Sequence, residues 1–111
     1  MLAALVLFST SLVAEDRDHP RVDFVVKSVS ISGDICYATF KADDGWTYST
    51  TAYAKWCNAM QIGTELYGYV SVAHYPFATP SSVTSIYFEM GQAKNGRTKY
   101  TPPFSVSSQS R

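Results

Sequence analysis

The chain lacks nearly every feature that indicates a catalytic or metal site. Only two cysteines and two histidines occur in 111 residues, and the cysteines do not form a CxxC motif. His19 and His74 are far apart in sequence, so the spacing of a zinc site is absent. A G-x-S-x-G motif, a phosphate-binding glycine loop and an N-x-S/T sequon are also missing. We therefore predict no catalytic residue, metal or cofactor, and we do not expect an enzyme.

The chain also lacks net charge, because nine basic residues balance nine acidic ones. A neutral chain has no strong overall field to attract nucleic acid or an anionic membrane, so nucleic-acid binding is disfavoured. Residues 15–44 hold seven acids and four bases, whereas residues 90–111 hold only bases, namely Lys94, Arg97, Lys99 and Arg111. The simpler interpretation is that these bases are solvated on loops and a hairpin tip. The alternative is a small basic patch for an acidic partner.

No apolar run is long enough to span a bilayer, but one occurs at the start of the sequence. Residues 1–14, MLAALVLFSTSLVA, carry no charge and are followed at once by EDRDHPR. This pattern is typical of a secretory signal peptide, and 14 residues are too few for a transmembrane helix. We predict a signal peptide over 1–14, a flexible lead-in over 15–21, no transmembrane segment after cleavage, and a secreted or periplasmic location. The alternative is an apolar first element of a cytosolic domain.

The predicted export bears on the two cysteines, because disulfides form and persist in oxidising compartments. An even number of cysteines in a short exported chain predicts a disulfide, here between Cys36 and Cys57. Closing a loop of this size should contribute on the order of 3 kcal/mol to stability.

What the sequence does contain is typical of one β-rich domain. Its length suits a single domain, and an apolar content of 46% argues against wholesale disorder. Eight tyrosines, with many valines, threonines and serines, favour strands. The predicted class is therefore mainly β.

The predicted fold is organised around residues 46–72, which contain both tryptophans. Residues 46–52 alternate between two faces, as in a half-buried strand. The period then changes, and four residues recur at i, i+3, i+4 and i+7, which predicts one face of a short helix over about 53–60: Tyr53, Trp56, Cys57 and Met60. Thr50 or Thr51 would cap this helix, and Gly63 would end it. Because two turns do not survive alone, the helix should cover the open end of a sheet or barrel.

Alternating residues predict further strands on both sides. The first, Val22 to Ile31, changes phase after Lys27, which is typical of a β-bulge. Other strands are predicted over 35–42, 66–73 and 83–90, with hairpin turns at 43–45 and Asn95-Gly96. Gly68 lies inside a strand, where glycine marks a sharp bend or the close approach of another backbone. The domain should span 22–106, and the polar residues 107–111 should fray as a disordered tail.

This order of elements resembles the OB-fold, in which a helix between the third and fourth strands plugs a small barrel. The bent first strand and the helix over 53–60 carry the resemblance, which covers residues 22 to about 90. It implies a small, curled antiparallel barrel of five to six strands. OB-folds bind oligonucleotides, oligosaccharides or proteins through one strand face and its loops.

A binding surface is predicted because both faces of the strand at 66–73 carry bulky residues, and one barrel interior cannot hold them all. Its candidate residues are Tyr67, Tyr69, Tyr48, Trp46, Tyr75 and Phe77. The expected function is a non-catalytic contact with a protein or glycan partner. One alternative is a cytosolic OB-type protein that binds single-stranded nucleic acid with Lys94, Arg97 and Lys99. Another is a structural subunit of an envelope assembly.

Overall fold

The structure, a computed structural model, describes residues 19–75 and 81–111, and only the backbone of Tyr75 and Ser81. Seven strands are present in these ranges: β1 (Val22–Ser32), β2 (Ile35–Ala42), β3 (Thr47–Tyr53), β4 (Glu65–Tyr75), β5 (Ser81–Gln92), β6 (Thr98–Tyr100) and β7 (Phe104–Ser110). The predicted signal peptide over 1–14, the first part of the lead-in, and Phe77 lie outside the described residues.

Six of the strands close into an antiparallel barrel. Their order is β4-β1-β2-β3-β7-β5, and pairing between β4 and β5 completes the ring. β6 pairs with the far end of β5 and lies outside the ring. The predicted class, a mainly β small antiparallel barrel, is confirmed.

The barrel is filled by phenylalanine. Alternation places Phe24, Phe40, Phe88 and Phe104 on the inner faces of four strands, where all four are buried. The ring centroids of contacting pairs lie between 4.8 and 6.4 Å apart, mostly at steep interplanar angles. Edge-to-face pairs of this kind add to the stability that burial provides.

The predicted bulge in β1 is confirmed by a register shift between Val26 and Ser28 in the pairing with β2. Where the pairing of β1 with β4 ends, the backbone of Val26 is hydrogen-bonded to a loop. The Val26 N–H donates to the Thr64 carbonyl at 3.0 Å, and the Gly63 N–H donates to the Val26 carbonyl at 2.8 Å. At the bend, where β1 leaves β4, both backbone groups of Val26 therefore remain hydrogen-bonded.

The predicted disulfide is also present. It joins Cys36 in β2 to Cys57, which follows β3, with the two Cα atoms 6.4 Å apart. Both cysteines are buried among the core residues. The bond therefore ties the loop after β3 to the barrel interior.

The predicted helix over 53–60 is wrong. Ala54–Trp56 form a single 3-10 turn, and no α-helix occurs in ranges 19–75 and 81–111. Tyr53 stays in β3 opposite Ile35, with 66% of its surface exposed, so it does not share a buried face with Trp56. The segment is held at both ends, because the Ala54 N–H donates to the Asp34 carbonyl and Cys57 is tied by the disulfide.

The threonine cap is wrong for the same reason. Thr50 remains within β3, where its buried hydroxyl donates to the Ala38 carbonyl at 2.9 Å. Trp56, Cys57 and Met60 nevertheless pack against the core. The turn thus does what was expected of the helix and covers the barrel interior.

The C-terminal segment differs from the prediction as well. Residues 107–110 do not fray but form the second half of β7, which pairs with β3 from Thr47↔Ser110 to Thr51↔Ser105. The Ser107 hydroxyl also donates to the Ser49 carbonyl at 3.1 Å. Strand pairing uses backbone groups, so a serine-rich segment can complete the ring although its side chains look like those of a tail.

Candidate functional site

Tyrosine side chains cover the outer face of the barrel where β4 and β5 pair. Gly68 is buried, so its neighbours Tyr67 and Tyr69 lie on the opposite, outer side of β4. Tyr69 is directly opposite Tyr87 of β5. The two rings stack with centroids 5.0 Å apart and an interplanar angle of 16°.

A backbone irregularity brings a fourth tyrosine to this face. The register of β5 with β6 shifts between Glu89 and Gly91, so that Tyr100 lies opposite Glu89. Without the shift, Tyr100 would lie opposite Met90, and its side chain would fall on the other side of the sheet. Its ring instead meets Tyr69 edge-on, with centroids 5.0 Å apart. We call Tyr67, Tyr69, Tyr87 and Tyr100 the tyrosine face.

Residues before β1 cover part of this face. The His19 ring lies 4.4 Å from the Tyr69 ring, and the Arg21 guanidinium lies 4.2 Å from the centre of the Tyr67 ring. Arg21 Nε also donates to Glu89 Oε2 at 2.7 Å, and a second nitrogen donates to Oε1 at 3.3 Å. This two-point hydrogen bond raises the pKa of Arg21. The face is therefore built from chain segments that are 68 residues apart.

Burial raises the pKa of Tyr69, and the neighbouring Tyr87 and Tyr100 raise it further. The phenol of Tyr69 is therefore neutral at physiological pH, like an ordinary tyrosine. The Tyr67 hydroxyl makes a long hydrogen bond of 3.4 Å to Glu65. These side chains provide rings, hydroxyls and an ion pair, which suits binding rather than bond-breaking chemistry.

The charge beside Tyr67, at one side of the tyrosine face, is negative. A groove of about 340 Å³ lies beside it, lined by residues that include Asp23, Lys41, Asp43 and Glu65. Together with the Arg21–Glu89 pair, this area holds four carboxylates and two cationic groups. A polyanion would meet net repulsion here, whereas a partner with exposed lysine or arginine would be attracted.

Gly68 keeps β4 and β5 in close contact beneath this face. A Cβ atom at this position would lie 2.0 Å from the Tyr87 carbonyl oxygen and 3.0 Å from the Phe88 Cα. The predicted close approach of another backbone is therefore confirmed.

The structure separates the predicted site residues into three groups. Tyr67 and Tyr69 lie together on the tyrosine face. Tyr48 lies in the core with only 4% of its surface exposed, and Trp46 is half-buried under the Arg111 guanidinium, 4.3 Å from the ring centre. Tyr75 ends β4, but its side chain, like Phe77, lies outside the described part of the chain.

Tyr48 has a structural role that predicts a pH effect. Its hydroxyl donates to Asp44 at 3.1 Å, and burial together with this bond raises its pKa to about 12. Because the folded-state pKa lies above the unfolded value, the stabilisation is complete below pH 10 and is lost as pH rises to about 12. We expect the free energy of unfolding to fall over this range, and to fall less in Tyr48→Phe. Urea unfolding at several pH values measures this; equal losses in both proteins would contradict the assignment.

Sequence reasoning did not place Tyr100, His19, Arg21 or Glu89 at the site. For Tyr100 a signal exists: Gly91 has a φ of +126° at the register shift, and a glycine within a strand often marks a bulge. The contacts of His19 and Arg21 depend on tertiary packing, and no local pattern predicts them.

Two comparisons with known proteins found no match, so the site is judged on its geometry. No protein-family model matches the chain, and no curated protein matches it. No helix among the described residues is long and apolar enough to cross a membrane. Within the same residues, no group of three or more His, Cys, Asp or Glu side chains is placed to hold a metal ion.

Proposed function

We propose that the chain is a small exported binding domain, without catalytic activity, that contacts a protein partner through the tyrosine face. The observation that carries this proposal is the packing of Tyr69. Its ring contacts those of His19, Tyr87 and Tyr100 on the outside of the barrel, away from the phenylalanine core. Pre-packed tyrosines beside an arginine are typical of the residues that dominate protein interfaces.

The ring packing favours a protein over a glycan. A sugar stacks on an open aromatic face, but Tyr69 is already in contact with three rings and Tyr67 lies beneath Arg21. The surface therefore offers ring edges and hydroxyl groups on a rigid base. Because the surrounding net charge is negative, the partner should present lysine or arginine at the rim of the contact.

Export is part of the proposal and rests on the disulfide and the apolar first 14 residues. Disulfides persist in oxidising compartments and are rare in the cytosol. The OB-like interpretation also belongs here: a small closed barrel that binds through an outer strand face acts as OB-folds do. The ring has six strands and a 3-10 turn instead of the OB-fold's helix, so the likeness concerns the mode of binding.

The test compares two pairs of tyrosine substitutions. The first is Tyr69→Ser with Tyr100→Ser. The control is Tyr37→Ser with Tyr53→Ser, because these tyrosines are 51% and 66% exposed and lie on β2 and β3, across the barrel from β5 and β4. We expect a partner captured from the exported fraction of the native host to lose at least tenfold in affinity, about 1.4 kcal/mol, with the first pair only.

Thermal melts of both pairs accompany the capture experiment. If the first pair costs several kcal/mol of stability, the tyrosines are structural and the proposal fails. Equal loss of the partner with both pairs would also contradict it, as would binding to a glycan array that only the first pair abolishes.

Single-stranded nucleic acid is the second candidate, favoured by the stacked rings of Tyr69 and Tyr87. The four carboxylates near the face oppose it. Salt-dependent oligonucleotide binding that is weakened by Lys94→Ala, Arg97→Ala and Lys99→Ala would support this candidate and overturn the protein-contact proposal.

A further inference from the structure

The outer half of β4 is an open sheet edge. β1 pairs with β4 only from Val22↔Gly68 to Val25↔Glu65. Beyond Gly68, the described residues pair β4 with β5 alone, through to Tyr75↔Ser81. Residues 19–21 do not extend β1 along this edge, because they are not in a strand and His19 lies on the outer face against Tyr69. The β4 edge, residues 69–75, therefore has one side on which none of residues 19–75 and 81–111 pairs with it.

This edge carries none of the features that normally prevent pairing. Its sequence, YVSVAHY, contains no Lys, Arg, Asp, Glu, Pro or Gly. Open edges are usually protected by charges, prolines, bulges or short length. Val72 is 50% exposed at the middle of the edge. A seven-residue edge without acidic or basic residues Asp, Glu, Lys or Arg, and without proline, is a template for a further strand.

Other open edges of the described chain are shorter, bulged or polar. In β1, Val26 is bonded to the loop at Gly63 and Thr64, and the residues beyond it follow Lys27 and a bulge. In β5, residues 81–84 pair with β4 alone, but this edge has only four residues. β6 has only three residues, one of which is Lys99. The exposed positions of β7 are serine and glutamine. The β4 edge thus stands out as both long and free of Lys, Arg, Asp and Glu.

We propose that the β4 edge pairs with the same edge of a second copy of this chain. An antiparallel pair in which all seven residues overlap has its two-fold axis at Val72, so that Val70 faces His74 of the other copy. The edge contains no Lys, Arg, Asp or Glu, and His74 faces Val70 of the other copy, so self-pairing brings no like charges directly opposite each other. A partner edge with lysines would gain nothing from this charge-free strand.

This pairing joins the two β4–β5 ribbons into one sheet of four strands. The two Val72 side chains meet at the axis and lose solvent exposure. Because the axis is perpendicular to the sheet, both tyrosine faces lie on the same side of it, and the pairing itself does not cover them. The inference therefore stands apart from the proposed function and can fail without it.

The test measures oligomeric state in the protein itself and in two lysine variants. Val72→Lys places a charge at the axis in each copy. Val83→Lys is the matched control, because Val83 is 43% exposed, lies in the neighbouring strand β5 opposite Ala73, and points to the other side of the sheet. We expect analytical ultracentrifugation to give a concentration-dependent dimer for the unaltered protein and for Val83→Lys. Dimerisation of Val72→Lys should weaken at least tenfold.

Hydrogen exchange locates the contact. Amides of 69–75 should exchange more slowly as protein concentration rises, whereas those of 98–100 should not change. A monomer at all concentrations up to roughly 1 mM, the limit of weak association, would overturn the proposal. A dimer that Val72→Lys leaves intact would overturn it as well. So would concentration-independent protection of 69–75, because the edge would then be covered within one molecule.

Discussion

Gly68→Ala is expected to destabilise the barrel by about 3 kcal/mol or more, at or above the upper end of overpacking effects. The new Cβ would lie 2.0 Å from the Tyr87 carbonyl oxygen and 3.0 Å from the Phe88 Cα. Both atoms belong to the backbone of β5, so no side-chain rotation relieves the clash. The two strands must separate at the point where they close the ring. Urea unfolding of the purified variant measures the loss, and we also expect a melting temperature lower by about 10 °C or more.

Gly96→Ala is the matched control. Gly96 has a φ of +81°, and no atom lies within 4 Å of the place that a Cβ would take, so alanine there costs only the strain of a left-handed conformation, about 1 kcal/mol. Gly68 has no such positive φ, so the destabilisation by alanine at residue 68 comes only from the clash with the β5 backbone. If both variants lose the same stability, the close approach of β4 and β5 does not explain why residue 68 is glycine.

Reduction of the Cys36–Cys57 disulfide is expected to lower the free energy of unfolding by about 3 kcal/mol, because the bond restricts a loop of 21 residues in the unfolded chain. Denaturant unfolding with and without reductant measures the difference. A change below about 1 kcal/mol would mean that the bond contributes little to this fold.

The double variant Cys36→Ala, Cys57→Ala controls for the reductant. It removes the bond together with two buried sulfur atoms, so it should be at least as unstable as the reduced protein, and reductant should not change it further. The same bond tests export. Protein from its native host, alkylated without reduction, should have a mass that begins near residue 15, with both cysteines unmodified. A full-length mass with two alkylated cysteines would contradict an exported location.

Strands β1 to β5 could be predicted because each depends on a local pattern. Alternation assigns Phe24, Phe40 and Phe88 each to one face of its strand, the face that is buried in the structure, and the phase change after Lys27 locates the bulge. The disulfide followed from the small number of cysteines. These features need only the period of a strand or elementary chemistry.

The turn after β3 and the course of β7 could not be predicted, because tertiary contacts override the local pattern there. The helical spacing from Tyr53 to Met60 is real, but pairing of Tyr53 with Ile35 and the disulfide at Cys57 leave room for one turn. Ser107–Ser110 look like a tail, and only the gap between β3 and β5 makes them a strand.

About half of the candidate site could be predicted. Tyr67 and Tyr69 share a face by alternation alone. In the strand pattern, Tyr48 lies on the same face as Trp46, and in the structure its side chain is in the core. Alternation alone does not say which of the two faces of a strand is buried. Tyr100 joins the site only through the register shift near Gly91, and Arg21 only through its pairing with Glu89.

The position of β7 governs when this chain can fold. β7 lies between β3 and β5 in the ring, yet it is the last of the described strands in sequence. The ring therefore stays open during synthesis until residues 104–110 have left the ribosome, and Phe104 is missing from the core until then. Because both pairings of β7, and that of β1 with β4, join strands that are not neighbours in sequence, closure is expected to be slow. Slow closure of this kind is compatible with the proposed export, because a chain that crosses a membrane in an unfolded state must not complete its barrel first.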